Sequence, residues 1–118
     1  MMSRRMLMMM SLVATTASGA AFAHHGWGSY DAARKFSIDS TVEQLRWQNP
    51  HVQIGVKHQG ATWELVLAPP FRMDARGLKP EMIKVGARVA VEGYPSTRAA
   101  NEMRAERIMV GGQSYELR

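Results

Sequence analysis

Short runs in which apolar and polar residues alternate, each bounded by glycine or proline, most restrict what this chain can fold into. Val52, Ile54 and Val56 alternate with His51, Gln53, Gly55 and Lys57. Trp63, Leu65 and Leu67 form the apolar set of the next run, and Ala87, Val89 and Val91 alternate with Arg88, Ala90 and Glu92. A period of two turns one side of an extended chain toward a core and the other toward water, so these runs predict half-buried β-strands. An earlier run, from about residue 37 to 47, changes phase: Leu45 and Trp47 share a set with Thr41 and Glu43, whereas Val42 belongs to the other. That pattern predicts a strand carrying a bulge. Gln59-Gly60 predicts a tight turn between the second and third strands, and Gly111-Gly112 one between a fifth strand at about 102–110 and a short one at 114–117. Between the third and fourth strands, residues 70–76 predict a short helix. Proline suits its first turn and Gly77 its stop, and residues 79–83 add a further turn.

Strand, strand, strand, helix, strand, strand is the order of the OB-fold. The expected class is therefore mostly β, a small OB-fold-like Greek-key barrel over residues 37–118 with one short helix between strands 3 and 4. An SH3-like barrel and a small sandwich are the alternatives. Closure suits a short β-rich chain, because a barrel leaves few open edges to aggregate. Residues 24–36 interleave Gly26, Gly28 and Asp31 with Trp27, Tyr30 and Phe36, and predict an irregular arm pinned by aromatic contacts.

The head of the chain is a different kind of sequence. Six of the ten Met lie in the first ten residues, and no Asp, Glu or His occurs before His24. Arg4 and Arg5 precede an uncharged, largely apolar run, and Ala21-Phe22-Ala23 has the small-x-small form of a cleavage site, so residues 1–23 read as a secretory signal peptide. The run is broken by Ser11, Thr15, Thr16, Ser18 and Gly19 and is too short for a bilayer span. The expected location is the periplasm or the medium, with no membrane span in the processed protein; the export route, general or twin-arginine, stays open. Loss of Arg4 and Arg5 lowers the formal charge from +5 to +3, and the remaining basic residues are interleaved with acidic ones, as at Arg104-Ala105-Glu106-Arg107. This reads as a mixed solvated surface, and no nucleic-acid partner is expected. The chain has no Cys, which removes disulfides, iron–sulfur clusters, thiolate zinc sites and cysteine nucleophiles.

Cleavage after Ala23 would make His24 the first residue and His25 the second. The free α-amine and ring Nδ1 of a first-position His chelate one ion, and a third nitrogen from elsewhere completes a T-shaped histidine brace, for which His51 is the candidate. A second-position His offers another route, through amine, backbone amide and the ring of His25. Nitrogen ligands without thiolate favour copper, with zinc and nickel behind it. Asp31 is a candidate to orient a ligating ring through a hydrogen bond, although a turn-forming Asp is the reading its position favours. Trp27, Trp47 and Asn49 are candidate contacts around such a site. His58, in the turn after the second strand, reads as solvated. The other carboxylates show no spacing that sets two across a reacting bond, and no nucleophile motif, phosphate loop or dinucleotide fingerprint is present.

Taken together, Ala23-His24-His25, Tyr30-Asp31, Thr41-Val42, Trp47-Gln48-Asn49-Pro50-His51, Trp63, and Gly86 with Val89, Val91, Glu92, Gly93 and Tyr94 resemble the uncharacterised family of small exported bacterial proteins labelled DUF6152. Ser40 departs from the glycine common before its Thr-Val pair. The resemblance implies an exported domain with an OB-like barrel, raises His24, His25 and His51 as a set, and brings no established activity. The leading expectation is an exported domain that binds a metal ion, copper first, through the N-terminal histidines and His51. The alternative is a metal-free OB-type interaction module for a small molecule, a glycan or an envelope protein partner, with Trp47, Tyr94 and the loop 96–101 as contacts. A copper-dependent redox enzyme is chemically permitted by a brace, but no other residue argues for it.

Overall fold

A computed structural model describes residues 26–118. After a 3-10 turn at Trp27–Ser29 come β1 (Phe36–Arg46), β2 (Gln53–His58), β3 (Ala61–Val66), α1 (Pro70–Ala75), a second 3-10 turn at Pro80–Ile83, β4 (Arg88–Pro95), β5 (Glu102–Val110) and β6 (Gln113–Glu116). The sheet order is β3-β2-β1-β4-β5-β6, and a parallel pairing of β3 with β5 closes the first five strands into a barrel. This is the expected OB arrangement, mostly β with one short helix between strands 3 and 4. β6 only extends β5 as a hairpin outside the closed ring.

The alternating residues do what their period requires. Val52, Ile54, Val56, Leu65, Leu67, Val89, Val91, Met103 and Ile108 are 2% exposed or less and fill the barrel. In β1 the phase change is a bulge: Val42 faces Val56 but Gln44 faces Gly55, so Glu43 is the extra residue. The inward set accordingly switches from Phe36, Ile38 and Val42 to Leu45 and Trp47, which pack against the core. Gln59 and Gly60 both have positive φ, 51° and 77°, as do Gly111 and Gly112, 59° and 77°. Two consecutive left-handed residues twist a hairpin in the same sense as its strands, which is why these pairs mark the turns.

The barrel has two unlike ends. β3 runs into α1, whose Met73 is fully buried, and Leu78 and Ile83 complete the plug beneath it. Val52 at the start of β2 belongs to this closed end, with its N–H donating to Ala68 O at 2.9 Å and its carbonyl accepting from Leu67 N at 2.8 Å. At the other end, beyond the β2–β3 turn, lies an open mouth.

Two boundaries differ from expectation for physical reasons. β4 does not close at Gly93-Tyr94-Pro95 but runs through them, because a second bulge, at Glu106, lets β5 continue to pair with all three. His58 is not a solvated turn residue. It is half-buried, with its ring edge-on to Trp63 at 5.7 Å, because it keeps the inward phase of Ile54 and Val56 and leaves the turn to Gln59 and Gly60.

Candidate functional site

The arm is docked along the outside of the barrel. Trp27 lies between two guanidinium groups, Arg104 at 4.6 Å and Arg118 at 4.4 Å from its ring centroid, and meets Tyr94 edge-on at 6.1 Å. A cation over an indole face is attracted by the ring quadrupole, and two such contacts hold the ring in place. Tyr30 is 6% exposed, and its hydroxyl donates to Glu102 at 2.8 Å. Burial, reinforced by Glu102, pushes that hydroxyl above the ordinary phenol range. Main-chain bonds follow: Tyr30 bridges Ser96, Asp31 N donates to Pro95 O at 2.9 Å, and Thr97 N donates to Ser29 O at 2.9 Å. The loop 96–101 is shaped for this task, with Ser96 Oγ accepting from Arg98 N and Ala99 N.

An ionic strip secures the far end of the arm. Lys35 Nζ is 3.0 Å from Glu106, which also accepts from the Tyr94 hydroxyl at 2.9 Å and lies 3.6 Å from Arg118. Lys35 first and Tyr94 second hold the Glu106 carboxyl below its usual range. Its contribution to docking is therefore complete above the pKa of an unfolded glutamate and is lost as the pH falls through the lower folded value. Arg107 joins Glu92 at 3.1 Å and also pairs with Glu116, which ties β4, β5 and β6 together.

Beneath the arm, register defines a row of side chains on the outer face. Gln53 stands opposite Val66 across β2 and β3, and Val66 beside Arg104 across β3 and β5. Their sequence neighbours Val52, Ile54, Leu65, Met103 and Ala105 face the core, so these three face outward. Yet Val66 is 1% and Arg104 3% exposed. Burial, helped by Arg72 and Arg118, lowers the Arg104 guanidinium from its ordinary value. The expected solvated surface at Arg104-Ala105-Glu106-Arg107 is thus wrong for Arg104, because the arm lies over it.

His51 belongs to the same region. It is two residues before Gln53, on the face opposite Val52, and is half-buried. Of the other sequence candidates, Trp47 is half-buried against the core, Asn49 is exposed, and Trp27 is the arm's anchor. The Asp31 carboxylate closes the turn after Tyr30, accepting from Ala33 N at 3.0 Å, and stands 3.9 Å from Arg34. His24 and His25, like the signal segment 1–23, lie outside the described residues. Among the described residues no three metal-binding side chains converge. No helix among them is long and apolar enough to cross a membrane.

Arg104, Glu102 and Glu106 were not singled out by sequence. One signal was available: Arg104 stands at a strand position between the inward residues Met103 and Ala105, and the aromatic arm had to dock on something. The expected effect of Trp27→Ala follows. Loss of two cation–π contacts, at about 0.5–1 kcal/mol each, loosens the arm without unfolding the barrel. Amide hydrogen exchange should speed up at Tyr30, Asp31 and Thr97 while Val56 and Ile108 stay protected, and unchanged exchange at the first three would show that the stack does not hold the arm.

No curated protein matches the chain. A family model does match, over residues 12–104, which takes in the arm, the barrel strands through the start of β5 and the bulge of β1. The chain belongs to the family of unknown function DUF6152.

Proposed function

We propose that this chain is an exported domain, processed after Ala23, that holds a metal ion with the amine and ring Nδ1 of His24, the ring of His51 and the further donor His25. Copper is the ion that an all-nitrogen set favours, ahead of zinc and nickel. The observation that supports this reading is the docking of Trp27, at the start of the described arm, on the wall formed by β3 and β5. Trp27 is fixed on Arg104, and Arg104 is two strand spacings from Gln53, roughly 10 Å at about 5 Å per spacing. Three residues of extended chain, from position 27 back to 24, span up to about 10 Å. His51 lies two residues before Gln53, about 7 Å further along the chain, so an approach of the N-terminal amine and imidazole to His51 would need the histidine side chains to close the remaining distance. The docked arm also occupies Tyr94 and the loop 96–101, two of the contacts on which a metal-free interaction module was expected to rely.

Three nitrogens in a fixed T hold Cu(II) and Cu(I) alike, which suits carriage, storage or sensing. The test is titration calorimetry of Cu(II) into protein beginning at His24, beside a version with one added N-terminal residue and a His51→Ala version. The first should bind at least tenfold more tightly than the other two, because the extension removes the chelating amine and the substitution removes the third nitrogen. Equal, weak binding by all three would overturn the reading and leave the metal-free interaction module.

A further inference from the structure

The open mouth of the barrel lies at the end opposite α1, and what it holds is independent of the metal reading. Three inward-facing positions on three strands, Phe36 of β1, His58 of β2 and Trp63 of β3, lie at the mouth, where Phe36 and Trp63 also pack against the rim of the core. Phe36 and Trp63 meet edge-on at 5.5 Å, and His58 and Trp63 at 5.7 Å. β1 and β3 are not neighbours in the sheet, so the Phe36–Trp63 contact crosses the opening. With Arg34, Gln59 and Pro95 these rings line a shallow, widely open depression of about 320 Å³. All three rings remain half-buried, whereas the inward residues one step deeper, Ile38, Val56 and Leu65, are 1% exposed or less. At the opposite end α1 covers the equivalent positions; among the described residues no element covers these.

The chemistry of the lining selects its ligand. Aromatic walls set edge-on to one another present ring surface to a flat guest, and offset or edge contacts between aromatic rings add to the burial they bring. The volume is at the small end for ligand pockets, enough for one ring or a fused pair, and barrel mouths are a recurrent place for such sites. Among the described residues no carboxylate lines the depression, while Arg34 stands at its rim, 77% exposed and 3.9 Å from Asp31. Gln59 adds an amide, and the His58 imidazole adds ring nitrogens. We propose that the mouth binds a small aromatic carboxylate, with its ring against Phe36, His58 and Trp63 and its carboxylate toward Arg34.

The test uses the exported form with EDTA present, so that no metal serves as the carboxylate's partner. Indole-3-carboxylate, indole-3-carboxamide and cyclohexanecarboxylate are titrated while backbone amide shifts are followed by NMR. The expected result is saturable binding of indole-3-carboxylate, with shifts centred on Phe36, His58 and Trp63 and binding at least tenfold weaker for the other two. Arg34→Glu should weaken the carboxylate at least tenfold and leave the carboxamide unchanged, and His58→Ala should weaken both. Both variants change residues outside the sealed core, so the fold is not at stake. Absence of saturable binding, shifts centred elsewhere, or equal binding of acid and amide would each overturn the proposal.

Discussion

Gly93→Ala is expected to destabilise the protein by about 3 kcal/mol, read as a lowered urea midpoint at unchanged slope. A Cβ added at Gly93 would lie 2.1 Å from the carbonyl oxygen of Arg104 and 2.9 Å from the Cα of Ala105. Both obstacles are backbone, so no rotamer change relieves them. The close approach comes from the bulge at Glu106, where pairing steps from Glu92–Arg107 to Gly93–Ala105. Relief requires β4 and β5 to separate at the point where the bulge turns Arg104 outward beneath Trp27. The same substitution therefore reaches the arm: exchange at Tyr30 and Asp31 should rise with the loss of stability. Gly28→Ala is the control, since a Cβ there meets nothing within 4 Å, and it should change stability by less than about 0.5 kcal/mol. A Gly93→Ala cost below about 1 kcal/mol would show that the strands give way easily and that the glycine is not required by contact.

Met73→Ala is expected to cost about 3 kcal/mol, the range for truncating a fully buried methionine. The site is special because α1 has six residues, far below the length at which a helix persists by itself in water. Its helicity depends on docking, and Met73 is the one residue of α1 that is buried. Truncation leaves a void under the closed end and takes away the contact that holds the helix there. Denaturant titration should show the loss, and exchange at Met73 and Arg76, whose amides donate to Pro69 O and Arg72 O, should rise more than exchange in β4. Phe71, two residues earlier and so on the other side of the helix, is 70% exposed and supplies the contrast: Phe71→Ala should fall within about 0.5 kcal/mol. Equal costs at 71 and 73 would mean that α1 is not anchored by the buried side chain.

Legibility followed the range of the forces involved. The strands, both hairpin turns, the helix and the bulge of β1 were readable because each is a local preference: a period of two, a pair of left-handed residues, a proline in a first turn, an apolar set that changes phase. The run of β4 through Gly93, Tyr94 and Pro95 was not readable, since glycine and proline end strands by local preference and only the bulged partner in β5 keeps these three paired. His58 followed the same logic in reverse. Its turn composition suggested solvent, while its phase in β2 decided that it meets Trp63.

For the candidate site, sequence supplied the residues and the structure their surroundings. The histidines and the aromatic arm stand out by composition and position, and the period of two sets His51 apart from the inward Val52, Ile54 and Val56. The docking of Trp27 between Arg104 and Arg118 brings together residues 77 and 91 positions apart, and the Tyr30–Glu102 bond residues 72 apart. No local preference encodes such pairs. By itself the sequence determined the strand order, the turns and the barrel that this order implies, because the period of the side chains and the backbone freedom of glycine act within a few residues. Only the tertiary structure decided that Arg104 is buried and that the arm docks on it, leaving three rings around one mouth, because burial depends on which distant segment arrives to cover a surface.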